Sequence, residues 1–426
     1  MSNQTFKTNE NRVLQRKNLF FNLSFIAQGK YGSRGWSRFV MSKDSSKNTV
    51  IYGLSTEGYR IACSLANRGY KVSLIDEAAR MAITLKPEIA TSYADVSSLM
   101  EDEPLLALEP IDIAVKDASY LFFAPKIRKT GQEAKADSLI KLRDAIRALA
   151  KGCSVVYCLP TGIGGNSENI AMIEHVTGLS VNRDFHYYYI PLNTSKSFSK
   201  ELTVGSMNLE NSAEISKILN HPNMIGKLTI VDPASAEFIH AINIMNLYSG
   251  TASVLEIFKH AKGNKINEGI YGSFTDVFLD DISNGLYDLR AISASLTGAG
   301  PLMYLVNGTI KATEGYIKYL IDRIRDTLKN RDLKASRIKV VVAWTLDVNE
   351  MRGDKIELMH SLESRLKDYI GDVELQYGTK LELYPSDKTV VIIACSKSDL
   401  HNIQTKGNNV SDAIIMQANP ACSIAG

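Results

Sequence analysis

Long uncharged hydrophobic runs are missing from this chain. No stretch reaches the roughly 18 apolar residues that a helical membrane span needs. Cysteine is scarce as well. The five residues, Cys63, Cys153, Cys158, Cys395 and Cys422, are too scattered for a disulfide framework. None sits in a C-x-x-C pair, so the sequence signature of a structural zinc site is lacking and no metal is expected. A reducing, cytoplasmic setting is the expectation. Internal repeats and low-complexity runs are absent too. The rest is ordinary: 45% apolar and 22% charged residues exclude disorder, collagen and coiled coil as descriptions of the whole chain. With 426 residues, two to three domains are expected at roughly 100–200 residues each.

The formal charge of +3 is unevenly placed. Residues 1–40 carry seven basic side chains (Lys7, Arg12, Arg16, Lys17, Lys30, Arg34, Arg38) against one acid, Glu10. The remainder holds 42 basic and 45 acidic groups, a net of −3. A mildly acidic body gives no electrostatic footprint for nucleic acid.

Residues 1–47 show no sustained helical or alternating period. Three readings stand: a disordered basic tail that touches an anionic partner, a signal peptide with Leu19 to Ala27 as its apolar core, or an extension outside the fold. Asn22 and Ser24 interrupt the apolar core, which weakens the second reading. Met41 is followed by a polar stretch and then a strand, as in many cytosolic chains, so an extension from an upstream start codon is expected.

Residues 48–58 read Asn-Thr-Val-Ile-Tyr-Gly-Leu-Ser-Thr-Glu-Gly. A buried strand runs into a turn, and Tyr59 to Arg68 has helical character. A second apolar run, Lys71 to Ile75, ends at Asp76, 23 residues after Gly53. This is the pattern of a βαβ dinucleotide-binding unit. Gly53 permits the tight turn, Gly58 lets helix and strand approach, and the helix amino terminus, at Thr56 and Glu57, receives a pyrophosphate. Asp76 would accept hydrogen bonds from ribose hydroxyls, favouring NAD over NADP. Ser55 replaces the middle glycine of G-x-G-x-x-G, where it either donates a hydrogen bond or crowds the phosphates.

The alternation continues. Tyr120 to Ala124 reads as a strand ending at Pro125, and both Ala124 and Pro125 are expected beside the cofactor. Asp137 to Ala150 reads as an amphipathic helix capped by Asp137. Ser154 to Leu159 is a strand, Asn166 to Thr177 a helix, and Phe185 to Pro191 a strand. Such alternation predicts an α/β fold with a Rossmann-type, doubly wound parallel sheet. Apolar residues then recur at helical spacing from Ala234 to about Lys262, predicting one long helix, bent at Gly250. Thr309 to Leu328 is helical. Arg337 to Trp344, Glu374 to Gln376, Leu381 to Leu383 and Thr389 to Ala394 read as strands, with a helix from Lys355 to Tyr369. The expected organisation is a basic extension at 1–47, an NAD-binding Rossmann-like domain at 48–232, a central helical dimerisation domain at 233–330, a smaller α/β domain at 331–405 and a tail at 406–426.

These pieces, in this order, resemble the UDP-glucose/GDP-mannose dehydrogenase family over roughly residues 48–400. Gly53 to Gly58 with Asp76 resembles its first βαβ. Lys116 to Ala124, with Gly131 and Ala136-Asp137, resembles its second nucleotide-side loop. Thr203-Val-Gly205 resembles the turn before its next helix. Ala236-Glu237 and Glu256 fall at family positions on the long helix. Thr297-Gly-Ala-Gly300 sits where its glycine-rich catalytic loop begins, and Asn349-Glu-Met-Arg352 resembles its Asp-Asp-x-Arg segment.

The resemblance implies oxidation of a nucleotide-sugar C6 hydroxyl to a carboxylate, with two NAD molecules and a cysteine thioester. It also implies that the reacting set is replaced here. The nucleophile falls on Leu302, the helix Lys and Asn on His240 and Ile244, the Glu after Pro191 on Leu192, the nicotinamide-side Thr on Cys158 and the substrate-strand Lys near Thr345. Leucine has no nucleophilic atom, so the thioester route is closed. His240 is the replaced position able to act as a base, and packing is the competing reading. Cys158 is either a reactive thiol or a buried structural one. Arg352 is either a ligand for phosphate or carboxylate, or half of a surface ion pair.

Three functions remain open at this stage: an NAD-binding relative without the standard activity, an NAD-dependent oxidoreductase performing one alcohol or carbonyl step, and a ligand-free structural dimer. The expected partners are a nucleotide sugar or other small molecule and a second copy docked through the central helix, with no nucleic acid and no membrane.

Overall fold

The computed structural model describes residues 47–101, 108–192, 201–209, 212–219, 227–260, 277–298, 300–378, 387–405 and 413–419. Residues 1–46 of the basic extension and the strand expected at Leu381 to Leu383 lie outside these residues.

The chain enters on Asn48–Tyr52 (β1), whose last four residues are buried. Thr56–Asn67 (α1) follows, three residues earlier than periodicity suggested, because Ser55 caps it: its Oγ accepts the Gly58 amide. Lys71–Asp76 (β2) returns parallel to β1. Met81–Leu85 (β3), Pro87–Ser92 (α2), Val96–Glu101 (α3), Leu108–Pro110 (β4) and Ile111–Lys116 (α4) form an excursion to one edge. Tyr120–Phe123 (β5) then pairs with the other side of β1. Gly131–Ile146 (α5), Ser154–Tyr157 (β6), Gly165–Thr177 (α6) and His186–Tyr189 (β7) continue the alternation. Glu201–Ser206 (β8), Ser212–Leu219 (α7) and Lys227–Val231 (β9) close the first half.

The strands lie in the order β4-β3-β2-β1-β5-β6-β7-β8-β9. The β2–β3, β3–β4 and β7–β8 pairs are antiparallel, and the other pairs are parallel. A parallel interior needs both faces covered, which is why β5 and β6 are mostly apolar and buried along their whole length. Tyr187, Tyr188 and Tyr189 of β7 are all packed in the core.

Two expectations are corrected. The helix read as Asp137 to Ala150 is Gly131–Ile146, so Asp137 is no cap; it lies inside the helix and pairs with Lys141 at 3.4 Å, one turn on. Thr203 to Gly205 is no turn: it belongs to β8, where a Cβ on Gly205 would stand 2.8 Å from the Cα of Pro233.

Pro233–His260 (α8) is one continuous helix through Gly250. Leu279–Ser283 (α9), Leu286–Ser295 (α10) and Pro301–Asn330 (α11) follow. The second sheet comprises Ile338–Ala343 (β10), Val373–Gln376 (β11), Thr389–Ala394 (β12) and Ile414–Gln417 (β13), in the order β11-β10-β12-β13, all parallel. Asp354–Lys367 (α12) and Lys397–Thr405 (α13) cross between its strands. Strand β13 comes from the segment read as a tail. One core cluster fills the first half, and a second joins the second sheet to α11 and α12.

Candidate functional site

In an open parallel sheet, ligands bind outside the carboxyl ends of the strands where the strand order reverses. In the first sheet that point lies between β1 and β5, at the loops Gly53–Ser55 and Ala124–Arg128. All the sequence-predicted cofactor residues but one, Asp76 at the end of β2, come from these two loops and the first turn of α1.

The loops touch each other. Gly53 has φ +119, and a Cβ there would lie 2.3 Å from the Ala124 carbonyl oxygen and 2.4 Å from the Cα of Pro125. No other residue type fits that turn. The Ser55 hydroxyl donates to the Ala124 carbonyl at 2.6 Å while accepting the Gly58 amide at 3.0 Å. Serine at the middle-glycine position therefore ties the loops together. A Cβ on Gly58 would meet the Gly53 carbonyl oxygen at 2.7 Å, so helix and strand are at closest approach. Asp76 is buried, and its carboxylate accepts the Ala78 amide at 2.8 Å.

Glu77, unremarked in the sequence, bridges the crevice. Its two carboxylate oxygens accept the amides of Leu54 and Lys126, both at 2.9 Å. The Thr56 amide donates to the Asn349 carbonyl at 2.8 Å. The Glu57 carboxylate accepts the Met351 amide at 2.9 Å and also its own backbone amide. Burial pushes the Glu57 carboxyl up, and the Met351 hydrogen bond opposes that only in part.

A dinucleotide pyrophosphate is held by the free amides of this loop and the positive end of its helix. Here the amides of Leu54, Thr56, Glu57 and Gly58 already have acceptors within the chain. Two of those acceptors are carboxylates. In this arrangement those four amides are not free for a pyrophosphate.

Deeper in the fold, His240 on α8 places Nε2 2.6 Å from Oδ1 of Asp288 on α10. Oδ2 of Asp288 lies 2.9 Å from Nη1 of Arg352, an ion pair whose angle falls outside hydrogen-bond geometry. Arg352 also donates through Nη2 to the Leu192 carbonyl and lies over the Tyr287 ring, 5.8 Å from its centre. Arg352 is only 4% exposed, so its ion pair is buried, against the surface pair considered above. Burial raises the Asp288 carboxyl, but the Arg352 charge and the His240 bond overcome this and hold it below the usual carboxylate range. Asp288 escaped sequence reasoning because no motif surrounds it.

Cys158 is buried at the end of β6, with Sγ 3.7 Å from the Val156 carbonyl. Burial pushes its thiol up, and the nearby Glu57 charge adds to this. Such a thiol is inert. Leu302 sits in the first turn of α11, 44% exposed, and Ile244 is packed in the core.

Between α1 and the carboxyl end of the second sheet lies a cavity of about 430 Å³. Thr56, Glu57 and Arg60 line one wall; Thr345, Asp347, Glu350, Lys355, Ser396 and Ser398 line the other. Burial raises Glu350 to about 7 against the pull of Lys355, with Glu57, Asp347 and Asp280 adding to the rise.

No protein-family model and no curated protein matches this sequence. Solved structures do match in three dimensions. The UDP-D-ManNAc dehydrogenase of Pyrococcus horikoshii superposes with a TM-score of 0.63 and 14% identity, over 88% of this chain and 96% of that one. A UDP-glucose dehydrogenase from Pyrobaculum islandicum gives 0.57 and 13%, over 89% and 91%. The UDP-N-acetyl-mannosamine dehydrogenase of Staphylococcus aureus gives 0.56 and 13%, over 87% and 98%. The chain has a nucleotide-sugar dehydrogenase fold. At these identities the likeness is one of fold. Within the nucleotide-sugar dehydrogenase fold, the structure brings His240 and Arg352 together through Asp288, and brings Gly53, Ser55, Glu57 and Gly58 together with Ala124 and Pro125. Among the described residues no helix is long and apolar enough to cross a membrane, and no group of His, Cys, Asp and Glu is arranged to hold a metal.

Proposed function

We propose that this protein uses a nucleotide-sugar dehydrogenase fold without the two-step oxidation, and that it acts as a dimeric assembly or scaffold subunit. The observation that carries this reading is the state of the phosphate loop: the amides of Leu54, Thr56, Glu57 and Gly58 are bonded within the chain. The lack of a nucleophile agrees with it. Leucine stands at residue 302, Cys158 is buried, and no cysteine lies between Cys158 and Cys395. NAD, implied by the sequence resemblance, would find these four amides already bonded.

The dimer face we assign to α8 and the start of α11. Phe238, Ile242, Leu247 and Ile257 of α8, with Tyr304 and Leu305 of α11, are each more than half exposed. Apolar exposure on this scale marks a partner surface, and a second copy is the partner that the central-helix reading supplies. The setting is cytoplasmic on this reading.

A second reading has one observation in its favour. His240 with Asp288 at 2.6 Å is built like a general base held by a carboxylate. It would serve a single alcohol or carbonyl oxidation, once a hydride acceptor were bound.

Both readings meet one experiment. The full chain is incubated with NAD and UDP-glucose, UDP-N-acetylmannosamine or GDP-mannose, and NADH formation is followed. The proposal expects no NADH. Turnover that disappears in His240→Ala would establish the second reading instead.

A further inference from the structure

We infer that the segment Asp347–Arg352 is a built-in strap that takes the place of dinucleotide phosphates and clamps the second sheet's half of the molecule onto the first. The strap follows β10 and reaches into the crevice between β1 and β5. It engages the same two loops that a pyrophosphate would. On one side the Asn349 carbonyl accepts the Thr56 amide at 2.8 Å, while the Met351 amide donates to Glu57 at 2.9 Å. On the other side the Met351 carbonyl accepts the Ile127 amide at 2.7 Å. The Arg128 guanidinium then donates to the Val348 and Glu350 carbonyls at 2.6 and 2.9 Å. Asn349 Nδ2 reaches the Ser97 hydroxyl at 3.1 Å. Met351 is fully buried.

The chemistry of the exchange is direct. A pyrophosphate offers oxygen acceptors to helix-terminal amides. The strap offers the Asn349 carbonyl to the Thr56 amide and the Met351 carbonyl to the Ile127 amide, and Glu57 accepts the Met351 amide. A backbone carbonyl carries partial charge only, so it can sit beside Glu57 and Glu77 where a dianion would be repelled. The inference rests on these crevice contacts and holds whatever chemistry the chain performs elsewhere.

The test is hydrogen–deuterium exchange of the full chain, read by mass spectrometry on peptides covering 53–59 and 347–352. Both peptides should exchange slowly in the native protein. Arg128→Ala removes an exposed side chain and should quicken both peptides together, by about tenfold. Should that variant fold poorly, Ser97→Ala should quicken the same pair to a smaller degree. NAD or inorganic pyrophosphate at millimolar concentration should leave the native pattern unchanged. Three results would overturn the strap: fast exchange of 347–352 in the native protein, acceleration of 347–352 without 53–59, or slowing of 53–59 by NAD. Turnover does not enter this readout, so a failed assay for oxidation and a failed strap remain distinguishable.

Discussion

The amide of Thr56, at the first turn of α1, donates to the carbonyl of Asn349, nearly 300 residues later in the chain. That bond occupies the position at which a Rossmann helix ordinarily presents itself to phosphate. It links the fate of the nucleotide crevice to the packing of the second sheet, and several outcomes can be measured.

Glu350 is a stability titration in its own right. Its folded-state pKa of about 7 lies above the ordinary carboxylate value, so the folded state binds the extra proton between about pH 4.5 and 7. The side chain therefore costs stability increasingly as pH rises through that window, reaching about 3 kcal/mol above it. Glu350→Gln should stabilise the protein at pH 8 and leave it nearly unchanged at pH 4.5. Urea unfolding at the two pH values checks the sign.

Asp288 behaves in the opposite direction. Its folded pKa is depressed, so its contribution is present above the unfolded value and is lost as pH falls through the folded one. Asp288→Asn leaves the buried Arg352 guanidinium without its ion-pair partner. The expected loss is about 3–5 kcal/mol, read by chemical denaturation at neutral pH. His240→Ala should cost less, because Arg352 keeps its counter-charge.

Much of this was legible in the sequence, and the failures have causes. The βαβ entry, the parallel strands and the long central helix follow from apolar runs and 3.6-residue periods, which are local signals. Asp137 looks like a cap in the sequence but serves as a one-turn partner for Lys141, so α5 starts earlier, at Gly131. Strand β13, Ile414–Gln417, gives little local signal because it is a short edge strand whose pairing with β12 is non-local. Gly53, Ser55 and Gly58 do meet Ala124 and Pro125 where β1 and β5 end. What the sequence did not disclose was who satisfies them. Glu77 directly follows Asp76, a local signal for its bridging place, whereas Asn349 and Met351 reach the loop only through the tertiary fold.

Gly58→Ala probes the closeness of α1 and β1. The added methyl meets the Gly53 carbonyl at 2.7 Å, and backbone cannot give way cheaply. A loss of about 1–3 kcal/mol is expected, measured as a lowered urea midpoint without a change in slope.

Thiol labelling separates inert from accessible cysteines. Cys153, Cys158 and Cys395 are buried, whereas Cys63 is only partly so. A brief alkylation of the native protein followed by peptide mapping should mark Cys63 and spare those three. Modification of Cys158 on the same timescale would restore the reactive-thiol reading.

The proposed dimer face is tested by charge. Ile242→Glu places a carboxylate at the middle of the exposed α8 surface. Sedimentation of the full chain should give a dimer, and of the variant a monomer with an unchanged unfolding midpoint per chain at high dilution.

Calorimetric titration of the full chain with NAD and with NADH addresses the central claim most directly, with the melting temperature followed in parallel. The closed crevice predicts no saturable heat and no rise in melting temperature at millimolar cofactor. Saturable binding that is abolished by Gly58→Trp would contradict it and would mean that the loop amides exchange their internal acceptors for phosphate.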